Sequence, residues 1–275
     1  MAARDRDAAL SSGELSFLIS EWVSDKFNLP ESDIPNMSVD YTPESAAASL
    51  RQYWGMGNSP INNIIKLLES KGIRVFSLNE NVKTIDAFSC WKSNIPFIFL
   101  NNFKTCERSR FDAAHELGHL VLHCGGRSHS RQAEKEADTF ASCFLMPEPD
   151  VRSIIAGSVS FERLFKAKIR WKVSLSALCY RLHKLEILSD WQYRTFCIEI
   201  SKRFGKTEPN SVPLEGSALW KMVLSELWKD KITKKDIADQ LYIPLLELEN
   251  LINFERPNSS FNHDRIKGKG LSLVG

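Results

Sequence analysis

Apolar side chains recur every three or four positions along 14–29, "ELSFLISEWVSDKFNL", the period of a helix with one buried face, and the run stops at Pro30. After a loop rich in Pro, Ser and Asp, "TPESAAASLRQYWGMG" predicts a second helix, with Thr42 as its cap, Pro43 at its first position and Gly55 and Gly57 beyond its end. "SPINNIIKLLESKG" repeats the pattern with Ser59 as cap, Pro60 first and Gly72 as the stop. The texture then changes. "IRVFSL" (73–78), "TIDAFSCW" (84–91) and "IPFIFLN" (95–101) are short and rich in β-branched and aromatic residues, and they predict a small three-stranded antiparallel sheet. Helical periodicity returns at 107–123 and 131–145, the second halted by "MPEPD". It continues at 174–186, 190–204 and 216–229, and as a pair of segments near 234–253. The fold class is α+β, a small sheet beside a mostly helical remainder. Three regions are expected: 1–43, a helix and a loop; 44–205, the main domain; and 206–275, a helical module whose basic tail "DRIKGKG" reads as disordered.

Composition narrows the classes. With 275 residues, 43% of them hydrophobic, the chain can bury a substantial core. Its longest apolar run, "IPFIFL", is far too short to span a bilayer, and the polar start "MAARDRDAALSSGE" has no apolar core of a signal peptide, so a cytoplasmic protein without membrane attachment is expected. Basic and acidic residues nearly balance, 36 against 34, with no polybasic run, which argues against nucleic-acid binding. The six cysteines are scattered without a CxxC and read as reduced thiols.

The chemistry concentrates in "ERSRFDAAHELGHLVLH". On a helix, residues four apart share a face, so His115 and His119 can converge on one ion. Glu116, rotated by about 100° from His115, stands beside that stripe rather than on it. Two neutral imidazoles for zinc and a carboxylate as general base are the physical content of H-E-x-x-H. Gly118 is a costly residue in mid-helix unless something packs close there.

A catalytic zinc takes a third protein ligand and keeps one position for water. His123 continues the stripe but lies two turns, roughly 12 Å, from His115 on a straight helix. HExxHxxGxxH is excluded, because Leu122 and Gly125 stand where it needs Gly and His. The following helix offers Glu134 and, on the same face, Asp138, which can accept a hydrogen bond from a ligand histidine. Glu136 is the second choice. A structural zinc would need a fourth protein ligand, for which Cys124 is the nearby candidate.

HELGH followed by "EKEADTFA" and then "LMP" resembles the ImmA/IrrE family of zinc-dependent metallopeptidases, and the likeness extends through "LLESKGIRVF", "IDAFSCW", "PFIFLN", "WKVSLSALCYRL" and "WQYR". The resemblance implies a zincin-like core over 44–205, with His115, His119 and Glu134 as zinc ligands and Glu116 as catalytic base. It implies a cytoplasmic protease that cuts or inactivates a helix-turn-helix repressor. Manganese would tolerate the same ligands. The donor that steadies the transition state is open among Tyr180, His183 and Arg110, each of which also has a structural reading. His123 reads as a packing or hydrogen-bonding residue at the helix end, and His129 as a solvated loop residue. Many relatives carry a helix-turn-helix domain ahead of the protease; residues 1–43 are too few for one, so the repressor is expected to be a separate polypeptide.

Near the other end, "ITKKDIADQLYIPLLELENLINF" superficially suggests a helix-turn-helix. Tyr242 replaces the usual turn glycine, and Glu247 and Glu249 would repel phosphates, so the segment reads as a packing or partner-binding module. The alternative to a peptidase is a metal-dependent regulatory protein, or the toxin of a toxin–antitoxin pair, in which zinc only orders the fold. Glu116 favours the enzyme, since a structural zinc has no use for a base beside its ligand.

Overall fold

The computed structural model of the protein describes residues 3–78, 85–101, 103–123, 130–205 and 207–254. Among them the fold is α+β, with twelve helices, one three-stranded sheet and a helical C-terminal region. They divide into two compact units that interleave along the chain. One draws on the segments up to Asp33, from Ile65 to Phe103 and from Leu214 onward; the other on Ile34–Ile64 and Lys104–Pro213. No helix among the described residues is long and apolar enough to cross a membrane.

The sheet belongs to the first unit. β2 (Ala87–Lys92) and β3 (Ile95–Leu100) form a hairpin closed by Ser93 and Asn94, both left-handed with φ of 49° and 64°, the backbone that matches the twist of paired strands. β3 is buried along nearly its whole length, which explains the unbroken apolar run and its central place. β1 (Arg74–Ser77) takes the other edge of β3 and runs parallel to it, with Arg74 opposite Phe97. The expected antiparallel sheet is therefore corrected to a mixed one. The hairpin uses one edge of β3, and the chain has reversed twice between β1 and β3, so those two strands run the same way.

Phe76 stacks on Phe97 and Phe99 at 6.2 and 6.1 Å, and Trp220 leans on Phe76 at 5.5 Å. Around this aromatic layer lie α1 (Ala3–Ser24), α3 (Ile64–Ser70), α10 (Ala218–Lys229), α11 (Lys234–Leu241) and α12 (Leu245–Ile252), with α12 against β1 and α1 against α11. Buried Glu69 closes the start of α10, accepting from the Ser217 hydroxyl and from the Ala218 and Leu219 N–H groups, both at 2.9 Å. Burial pushes the Glu69 carboxyl above its ordinary range, against the pull of those donors and of Arg74. α11 ends on Tyr242 at φ 54°, the left-handed conformation a turn glycine would supply.

The second unit comprises α2 (Pro43–Tyr53), α4 (Cys106–Leu122), α5 (Arg131–Leu145), α6 (Glu148–Ile154), α7 (Phe161–Trp171), α8 (Leu175–Lys184) and α9 (Asp190–Phe204). α2, α4 and α5 pack on one another, and α8 packs on α5. The helix expected from Ser59 begins only at Ile64. Its would-be first turn has its carbonyls claimed by cations: Ser59 accepts from Arg51 Nη2 at 2.5 Å, Ile61 from Arg110 Nη2 at 2.8 Å and Asn62 from Lys172 Nζ at 2.5 Å. Arg51, 2% exposed, also donates to Gly57 and Phe144. Burial brings its guanidinium down to about 10, with the charge of Asp150 pulling back up. The prolines of "MPEPD", read as a stop, end α5 and then serve as the start of α6, where a missing N–H costs nothing. Buried Lys168 meets Glu107 at 3.3 Å and Glu208 at 2.8 Å, and Glu107 also accepts from Ser211 and Val212, which fastens 207–213 onto this unit.

Candidate metal centre

α4 and α5 carry the site. Thr105 caps α4 by accepting from the Arg108 N–H, and Ser130 caps α5 by accepting from Ala133. That cap sets Glu134 in the first turn of α5, where the free N–H groups favour a negative side chain. Gly118 faces α5. A methyl group there would lie 3.0 Å from Phe140 Cδ1 and 3.3 Å from the Ala137 Cα, so the bare glycine is what lets the two helices come this close.

Three donors meet where the helices face each other. His115 Nε2 and His119 Nε2 are 3.0 Å apart, and Glu134 reaches them at 3.3 and 3.6 Å respectively. His115, His119 and Glu134 form a set of one-atom donors all within 4.8 Å of one another. Ligand atoms at about 2.0–2.1 Å from a tetrahedral ion stand about 3.3 Å apart, so this donor set fits one small divalent cation. The histidines are nearly enclosed while Glu134 is 52% exposed, leaving the carboxylate side open.

Both imidazoles are held from behind. His115 Nδ1 donates to Asp138 Oδ1 at 2.9 Å, which turns its Nε2 lone pair toward the other donors. Burial works against the charged form of His115, but the Asp138 hydrogen bond and the charges of Glu116, Asp138 and Glu134 outweigh it and raise its pKa above the ordinary 6.5. His119 Nδ1 lies 3.0 Å from His123 Nδ1, and His123 Nε2 lies 3.0 Å from Glu136 Oε2. Glu136, the second choice as ligand, thus joins His123 instead of the donor cluster. The spacing His119–His123 was a readable signal for this second layer. Glu116 is 6% exposed beside His115.

The other candidates are placed elsewhere. Arg110 is 1% exposed and donates to the backbone of Ile61 and Trp171, a packing role. His183 pairs with Asp190 at 2.6 Å and stacks on Tyr193. Tyr180 is half-exposed on α8 under the Lys184 ammonium. Among the described residues no hydrogen bond ties Tyr180 or His183 to the cluster. Cys124, His129 and the basic tail lie outside the described residues.

A paired-histidine helix and a carboxylate from the next helix thus bring three possible metal donors together, with a buried glutamate beside the first histidine. Residues 68–183 match the family model of the IrrE N-terminal-like domain, peptidase family M78. The chain carries a domain of that peptidase family, consistent with the ImmA/IrrE family, and the matched stretch spans both site helices. A comparison with curated proteins found no match.

Proposed function

We propose that this chain is a zinc-dependent endopeptidase acting in the cytoplasm on a protein substrate, a separately encoded helix-turn-helix repressor, and so controlling a stress response or a mobile element. The observation that carries the reading is the convergence of His115, His119 and Glu134 next to buried Glu116, within a peptidase-family domain. The repressor as substrate rests on the resemblance of the motif region to the ImmA/IrrE family.

In this reading His115 and His119 hold the metal through Nε2 and Glu134 through its carboxylate. Two imidazoles and one carboxylate suit zinc, and manganese is tolerated by the same set. Bound there, the metal supplies Lewis acidity toward a water and the scissile carbonyl. Glu116 takes the proton of the attacking water and passes it to the leaving amine. Asp138 keeps the His115 ring in one tautomer and orientation.

Glu116→Gln tests the assignment. It keeps the ligands and removes the base, so zinc should stay bound while cleavage of candidate repressors, followed by mass spectrometry of the fragments, drops by about two to four orders of magnitude. Undiminished cleavage by this variant would remove Glu116 from the role of base. A regulatory activity that survived it would favour the binding-protein reading.

A further inference from the structure

His123 stands behind His119, on the side away from the donor cluster. His119 turns Nε2 to Glu134 and His115, which leaves Nδ1 to meet His123 Nδ1 at 3.0 Å. His123 Nε2 then meets Glu136 Oε2 at 3.0 Å, and Gln132 Nε2 donates to the other Glu136 oxygen at 2.8 Å. The His123 side chain is only 5% exposed, so water does not substitute freely for either of its partners.

A neutral imidazole has one nitrogen that donates and one that accepts. If His119 Nε2 gives its lone pair to a metal, its proton sits on Nδ1, and that nitrogen must donate. His123 Nδ1 must then accept, which places the His123 proton on Nε2, where it donates to the Glu136 carboxylate. One condition at the metal end fixes every proton along the line. His115, by contrast, is backed by the Asp138 carboxylate directly.

We propose that His123 and Glu136 form a positioning relay for His119, an imidazole–carboxylate pair that locks the second histidine in its metal-binding tautomer and orientation. The inference rests on the metal reading of the cluster. Neither residue touches the metal or the substrate; both act through His119. Loss of such an outer partner lowers metal affinity by about 10–100-fold.

The test is zinc affinity of the full chain, measured by competition with a chromophoric chelator, for wild type, His123→Phe and Glu136→Ala. Phenylalanine keeps a ring of similar bulk in the enclosed position, and Glu136, whose side chain is 34% exposed, can be truncated without disturbing the core. The expected results are a zinc dissociation constant raised about 10–100-fold in His123→Phe and a smaller rise in Glu136→Ala. A packing role alone would not produce the second effect, nor the spectroscopic one. In ¹⁵N-histidine spectra of the zinc-loaded wild type, His119 should carry its proton on Nδ1 and His123 on Nε2. Unchanged affinity in both variants, or a doubly protonated His123 in the zinc form, would overturn the relay while leaving the metal centre standing. A wild type that binds no zinc would overturn the metal reading and the relay with it.

Discussion

Gly118→Ala adds one methyl group where α4 faces α5, and its effect can be worked from the structure. The new carbon would sit 3.0 Å from Phe140 Cδ1 and 3.3 Å from both the Phe140 Cβ and the Ala137 Cα. Carbon atoms attract best at about 3.5–4.0 Å, so relief needs about 0.5 Å at the ring and about 0.2 Å at the α5 backbone. Phe140 is 0% exposed and stacked on Phe144 at 5.5 Å, so its ring has no empty space to enter. The strain therefore falls on α5 as a body, and Glu134 and Asp138, on either side of Ala137, move with it. Alanine gains about 1 kcal/mol in helix propensity, while overpacking costs about 1–3 kcal/mol. The net expectation is a loss of about 0–2 kcal/mol in urea unfolding of the metal-free protein. Metal sites tolerate ligand errors of only about 0.2 Å, so zinc affinity should fall about tenfold. A variant that is about 1 kcal/mol more stable, the bare propensity gain, with unchanged zinc affinity would refute the reasoning.

Other expectations follow from the same contacts. Asp138→Asn leaves His115 with a neutral partner in place of a carboxylate, and zinc binding measured by chelator competition should weaken by about tenfold or more. Because His115 is raised above 6.5, protons compete for it early, and apparent zinc affinity should begin to fall above pH 6.5 as the solution is acidified. Folding of the metal-free protein carries the opposite sign: the His115 contribution is fully present below its unfolded pKa and fades as pH rises through the folded one, which denaturation at several pH values would show. Tyr242→Gly replaces a 95% exposed side chain at φ 54° with the residue that adopts this backbone freely, and should stabilise the protein by about 0.5–1 kcal/mol in thermal or urea unfolding.

Much of this architecture could be read from local pattern. The cap at Thr42, the apolar run of β3 and the periodicity of 131–145 and 190–204 depend on neighbours a few residues away, and the elements formed where those signals stood. The motif helix and the face shared by Glu134 and Asp138 were legible for the same reason. What escaped was decided by distant partners. The turn after Ser59 looks helical until Arg51, Arg110 and Lys172 claim its carbonyls, and two of those residues are about fifty or more positions away. The direction of β1 depends on which edge of β3 the hairpin leaves free. α6 was hidden because a proline pair that stops one helix also starts the next. At the site, Glu136 was read as a spare ligand, and only the side-chain geometry shows it engaged with His123. Tyr242 stands where a turn glycine is usual and adopts the left-handed conformation itself, at the strain cost that glycine avoids.

The central claim is that His115, His119 and Glu134 together hold one metal ion. The most direct measurement is metal content by elemental analysis of the purified protein and of Glu134→Ala, both loaded with zinc and dialysed against a weak chelator. About one zinc per wild-type chain and little in the variant are expected, since two imidazoles alone hold the ion too loosely to survive dialysis. Zinc retained in full by Glu134→Ala, or none held by the wild type, would contradict it.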